Sequence, residues 1–188
     1  MNVFDFDNTL YHGESAVDLA LYMIKTNKRI IKYLPSIFIN LIKYKLCMVE
    51  KKKMVIAIND FLKNALRDKE ELFSAVEGFW QKNNCKLDKN MLKKIKKDDV
   101  IITAGPDFLI NGIRELLNTE NIICSRIDDD KMKVKYLNFG SNKVRRFKAV
   151  YRNTPIKRFY TDSFNDKALM DISDEVYIVK KGRLKRIK

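Results

Sequence analysis

Apolar positions along the chain change period, and the changes divide it. Residues 1–6 alternate into a short strand that stops at Asp7-Asn8-Thr9, where turn-forming side chains begin. From Glu14 to about Ile95 the spacing is almost continuously helical. Ser15 is placed to cap a first helix, and Pro35 suits the first turn of another. The clearest stripe is Met54, Ile58, Phe61, Leu62 and Ala65. Asp68 and Glu71 then form a capping box that opens a second stripe, Leu72, Phe73, Val76, Phe79 and Trp80. Each stripe needs a partner to bury it, so the pair predicts a small antiparallel bundle packing on itself, with Trp80 in its interior.

After Asp98 the pattern becomes strand–helix alternation. Residues 99–103 read as a buried strand, 108–117 as a helix and 121–124 as a second strand. Residues 125–139 read as an irregular or hairpin excursion, and about 143–151 as a basic helix. Strands at 156–161 and 175–179 follow, separated by a short helix at 166–172. This order predicts an α/β fold, a Rossmann-like parallel sheet covered on both faces, with an all-helical segment inserted. The expected division is a core of residues 1–13 plus 90–188 and a helical domain of residues 14–89.

Bulk composition narrows the class without naming it. A hydrophobic content of 46% against 33% charged residues fits a globular chain rather than a disordered or fibrous one. The formal net charge of +14 attracts phosphates, nucleic acid or anionic lipid surfaces without choosing among them. Its denser clusters lie at 51–53, 145–148 and 180–188, and basic runs without interleaved aromatic side chains speak against nucleic acid as the main partner. Cys47, Cys85 and Cys124 have neither an even count nor metal-ligand spacing, which favours a reducing, cytoplasmic setting. The first residues look like a core strand rather than a signal peptide, and the longest apolar stretch, 34–42, is too short to span a bilayer.

Ligands of open parallel sheets bind beyond the carboxyl ends of the strands. The residues expected there are Asp5-Phe6-Asp7-Asn8-Thr9, Thr103-Ala104-Gly105 and Asp162-Ser163-Phe164-Asn165-Asp166, with Lys143 opening a nearby helix. Four acids converging on one crevice repel one another unless a divalent cation neutralises them, and all-oxygen ligands select magnesium over softer metals. Taken alone, Asp-x-Asp-x-Thr is also compatible with a strand end followed by an Asx-turn. Thr103 alone could be an ordinary strand end, and Arg145 or Lys148 could be mistaken for Lys143.

In this order the residues resemble the four motifs of the haloacid dehalogenase superfamily, in particular its phosphoserine phosphatase-like branch. The first stands as Val3-Phe4-Asp5-Phe6-Asp7-Asn8-Thr9, the second as Thr103 after an apolar strand, the third as Lys143 before a helix, and the fourth as Asp162 with Asp166. The helical insert between the first two matches that branch's cap. The resemblance implies a phosphatase in which Asp5 is nucleophile and Mg²⁺ ligand, and Asp7 is the general acid and base, lending its main-chain carbonyl to the metal. It also implies that Thr103, Ala104, Gly105 and Lys143 hold the phosphoryl group, and that Asp162 binds Mg²⁺ with Asp166 in support. An acid at position 7 argues for phosphate ester cleavage and against dehalogenation, which has no alcohol leaving group to protonate.

Glu14 stands where this branch places a carboxylate that meets a substrate amine, and it could equally be a favourable acid at a helix start. The expected substrate is thus a small phosphorylated metabolite resembling phosphoserine. A lipid phosphate at an anionic lipid surface is the second version, because residues 28–46 resemble the cap segment of this branch's phosphatidylglycerophosphate phosphatases; the apolar and basic alternation of 29–46 suits an interfacial helix, and burial within the cap bundle explains it better. A nucleic-acid-binding protein on the same scaffold is the alternative of another class. His12, the sole histidine, reads as a loop residue near the site.

Overall fold

A computed structural model of the protein describes residues 1–33, 35–36, 39, 51–65, 68–128 and 130–188. The sequence readings on 34–42 and 28–46, and on Cys47, fall largely or wholly outside them. Seven strands form one sheet: β1 (Asn2–Phe4), β2 (Val100–Pro106), β3 (Ile122–Asp128), β4 (Lys133–Tyr136), β5 (Ile156–Thr161), β6 (Ser173–Lys180) and β7 (Arg183–Arg186), in the order β4-β3-β2-β1-β5-β6-β7. The five inner strands are parallel, and β4 and β7 close the edges antiparallel.

The alternation along each strand sends successive side chains to opposite faces. Val3, Val100, Ile102, Ile123, Phe159, Val176 and Ile178 bury themselves on one face, with Phe147, Leu169 and Met170 from helices α6 (Ser141–Tyr151) and α7 (Lys167–Asp171). Their neighbours Phe4, Ile101, Cys124, Tyr160 and Val179 face the other way. That second face is covered by α1 (Ser15–Thr26), α3 (Lys69–Asn83) and α5 (Asp107–Asn111), which supply Leu19, Met23, Leu72, Val76, Phe79, Trp80 and Leu109. The remaining helices are α2 (Lys51–Ala65) and the single turn α4 (Lys89–Leu92).

Here the structure departs from the expected bundle. Trp80 is buried, but not inside a separate bundle: its indole Nε1–H donates to the Leu109 carbonyl at 2.8 Å, and its ring meets Phe6 and Tyr11 edge-on. The helical segment and the sheet thus share one hydrophobic cluster. Helix α2 leans on the β3–β4 hairpin, where Val134 N–H donates to Asn59 Oδ1 at 2.7 Å. Asp68 caps α3 as expected, accepting from Glu71 N–H at 2.8 Å, and the Glu71 carboxylate accepts from Asn27 Nδ2 at 2.8 Å. The helix expected at 108–117 stops at Asn111 before Gly112, and the tail reads as strand β7 where only a basic cluster was expected.

Candidate active site

β1 lies between β2 and β5 with Phe4 opposite Ile101 and Tyr160, so the segments that follow these residues emerge at one edge of the sheet. Asp5 is 5% exposed; its N–H continues the ladder to Tyr160 O at 2.8 Å while its side chain enters the crevice. The chain then turns through Asn8, at a positive φ of 54°, and Gly13, at φ 140°. A side chain at Gly13 would be strained in that conformation and would also meet the Asp18 carboxylate at 2.9 Å.

This turn delivers Asp7 to the start of α1. The Ser15 N–H donates to Asp7 Oδ1 at 2.7 Å, so the helix end is satisfied by a carboxylate from the preceding loop. The expected Ser15 cap shifts by one residue: Glu14 occupies the cap position, makes no capping hydrogen bond and instead accepts from Asn8 Nδ2 at 2.8 Å.

Lys143, in the first turn of α6, is 3% exposed and bridges two carboxylates, donating to Asp5 Oδ1 at 2.9 Å and Asp166 Oδ2 at 2.8 Å. The same Asp166 oxygen accepts from Thr161 Oγ1 at 3.2 Å. Buried ions survive only when paired and hydrogen-bonded in this way. Asp162 follows β5, and Ser163 caps the turn that brings Asp166 back.

Thr103, Ala104 and Gly105 lie inside β2 rather than after it. The register against β3 slips there, from Ile102–Ile123 to Pro106–Ser125, so that four steps of β2 answer to two of β3. Side chains take over the lost ladder bonds: Asn138 Nδ2 donates to Thr103 O at 2.8 Å, and Ser125 Oγ to Ala104 O at 2.7 Å. Ser125 Oγ in turn accepts from Asn138 N–H at 2.9 Å. Gly105 N–H donates to Thr103 Oγ1 at 2.9 Å, and a Cβ on Gly105 would press that oxygen at 3.3 Å. Asn138, Ser125 and Thr161 went unread in the sequence. Their signal was faint: polar residues in otherwise apolar runs, with no spacing to tie them to the motifs.

The electrostatics are those of an acid-rich crevice. Burial pushes the Asp5 carboxyl well above the usual carboxylate range, Lys143 opposing and Asp166 and Asp162 adding to the rise. Burial raises Asp7 too, with Ser15 at the helix start pulling the other way. Asp162 is pushed up to about 6, by burial first and then by Asp166. One ammonium thus faces Asp5, Asp7, Asp162 and Asp166. Among the described residues no three His, Cys, Asp or Glu side chains form a ready-made metal cluster. Magnesium does not need one: it takes one or two carboxylates and keeps places for water and phosphate. Asp5 and Asp162 offer oxygen donors near enough for Asp162 to raise the proton affinity of Asp5, and the residual negative charge is what a divalent cation would offset.

His12 stands outside this group. Its side chain is half exposed, with Nε2 3.5 Å from Asp88 Oδ2.

The sequence model of the haloacid dehalogenase-like hydrolases matches residues 3–171, and the chain belongs to that family. No curated protein matches it in sequence. Among solved structures, a Bordetella pertussis Tohama I protein of unknown function is similar with a TM-score of 0.74 at 17% identity, over 94% of this chain and 87% of that one. A phosphoserine phosphohydrolase-like protein from Francisella tularensis subsp. tularensis SCHU S4 gives 0.56 at 16% identity, over 94% and 86%. A probable phosphoserine phosphatase from Vibrio cholerae gives 0.59 at 9% identity, over 93% and 55%. At such identities the likeness is one of fold. Among the described residues no helix is long and apolar enough to cross a membrane.

Proposed function

We propose that the protein is a magnesium-dependent phosphatase that cleaves phosphate monoesters through Asp5, with residues 14–89 acting as a cap over the site. The observation that carries this reading is the buried Asp5–Lys143–Asp166 bridge beside Asp7, in a member of a hydrolase family.

In this mechanism an Asp5 oxygen attacks phosphorus and the bond to the leaving oxygen breaks, giving an aspartyl phosphate. Asp7 gives its proton to the leaving oxygen. Its carboxyl, raised by burial, holds that proton more tightly than an ordinary carboxyl would. Asp7 then takes a proton from the water that attacks the aspartyl phosphate, which frees phosphate and restores Asp5. Lys143 balances the charge on Asp5 and the phosphoryl oxygens, and Asp166 holds Lys143 in place. Because Thr103 Oγ1 accepts from Gly105 N–H, its hydroxyl proton is left to donate to a phosphoryl oxygen, and a bound phosphoryl group would compete with Thr103 for the Gly105 N–H, with Ala104 N–H beside it. Bound Mg²⁺, held by Asp5, Asp162 and the Asp7 carbonyl, would supply charge neutralisation to the transferring group.

The test is hydrolysis of an aryl phosphate with Mg²⁺ by the wild type and by Asp5→Asn. The variant is expected to lose activity by at least about a thousandfold while its circular dichroism and melting profile show an intact fold. Undiminished turnover in a folded variant ends the proposal.

A further inference from the structure

The acid that would protonate the leaving oxygen also lines a cavity of about 260 Å³, bordered by Asp7, Ala104 and Gly105 at one end. A group attached to the leaving oxygen would reach this space. Its walls are overwhelmingly apolar: Met23 from α1, Ile58 and Phe61 from α2, Leu72 from α3, and Phe108 and Leu137 from the sheet side. The other polar side chains of the lining are Glu14, Tyr33, Ser36 and Ser125, and two of them have local tasks. Ser125 Oγ holds Ala104 O and accepts from Asn138, and Glu14 accepts from Asn8. Among the described residues no Lys, Arg or His lines the cavity.

A leaving group bearing a carboxylate and an ammonium, as in phosphoserine, would lose its hydration here with no cation to meet the carboxylate. An aliphatic chain meets the wall on its own terms. Interiors are packed close to crystal density, and an apolar void of this size forfeits contacts along its whole lining. Its volume lies just under the ~300 Å³ at the small end of ligand pockets. Segments that supply lining residues, 28–33 and α2, also present apolar and basic groups to solvent. Ile31 and Ile56 are 47% and 67% exposed, with Lys28, Lys32, Lys52 and Lys53 exposed alongside them in sequence.

We infer that the substrate is an aliphatic phosphate monoester, whose phosphate meets Asp5 and whose hydrocarbon chain fills this cavity. The inference rests on the phosphatase reading above and names the substrate class of that same site.

The experiment compares kcat/KM for ethyl, hexyl and decyl phosphate and O-phosphoserine, with Mg²⁺ and below the critical micelle concentration. Turnover efficiency is expected to rise about two- to fourfold per added methylene until the cavity is full, the gain that removing one CH₂ from water supplies. O-phosphoserine is expected to be the poorest substrate. Ile58→Asn should cut the decyl-to-ethyl ratio by at least about fivefold. Decyl phosphate presented as monomer and in phosphatidylcholine vesicles separates a free amphiphile from a membrane-borne lipid as the source.

Thermal shift on Asp5→Asn reads binding without turnover: decyl phosphate should raise the melting temperature and ethyl phosphate should not. A flat chain-length profile, or a preference for O-phosphoserine, with activity still dependent on Asp5, overturns this inference and leaves the phosphatase reading standing. If no ester is hydrolysed while decyl phosphate alone still raises the melting temperature, the phosphatase reading falls and the cavity keeps its ligand class.

Discussion

Two buried regions meet at Asp7 and follow opposite rules. On one side Asp5, Lys143 and Asp166 hold charge out of water, and every contact is specific: two hydrogen bonds near 2.9 Å and a third from Thr161. On the other side α1, α2, α3 and the β3–β4 hairpin line a space of apolar surface that no side chain among the described residues fills. Charge in low dielectric depends on geometry and fails steeply when one partner goes, whereas apolar burial is roughly additive in area and fails gradually. On the proposed function, the first region fixes the chemistry and the second is where specificity can vary.

The sharpest way to break this contrast is Lys143→Met. It keeps the volume of the side chain but leaves Asp5 and Asp166 buried without their shared cation, and it should cost about 3–5 kcal/mol of stability, read by urea denaturation, together with activity. A loss under about 1 kcal/mol would mean the bridge is solvated like a surface pair. Trp80→Phe probes the apolar side, where it removes the indole N–H that donates to the Leu109 carbonyl at the seam between α3 and the sheet. About 2 kcal/mol is expected, with kcat for an aryl phosphate nearly unchanged.

The smallest effect has the opposite sign. Asp162 has its carboxyl raised to about 6 from 3.8, so folding takes up a proton between those values; its contribution is favourable below 3.8 and is lost as the pH rises through about 6. At pH 7.5 without divalent metal, Asp162→Asn should therefore be more stable than the wild type by about 1 kcal/mol, a few degrees in Tm. The difference should shrink toward pH 4, and Mg²⁺ should stabilise the wild type but not the variant. A variant that melts lower than the wild type at pH 7.5 without metal would show that Asp162 is not held at an electrostatic cost.

Much of this was legible in the chain. Strands at 156–161 and 1–6 and the basic helix from about 143 emerge from period alone, and Lys143 was found among 38 basic residues only because it precedes a helix at the right place in the motif order. What stayed hidden depended on contacts between distant residues. The role of Asn138 requires knowing that β2 slips against β3, and the Asp7–Ser15 bond requires the φ values of Asn8 and Gly13. Trp80 belonged to a stripe whose period says that it is buried but not against what. Strand β7 was masked by its composition, since Arg183, Lys185 and Arg186 are exposed edge residues that read as a charged tail.

The bond from the first residue of α1 to Asp7 ties proton affinity to the position of a helix. When that helix end stays seated, its N–H favours the ionised carboxylate; if it withdraws, the carboxyl loses that support and grips its proton harder. A displacement of that helix end would therefore change how tightly Asp7 binds a proton, with no side chain of α1 taking part.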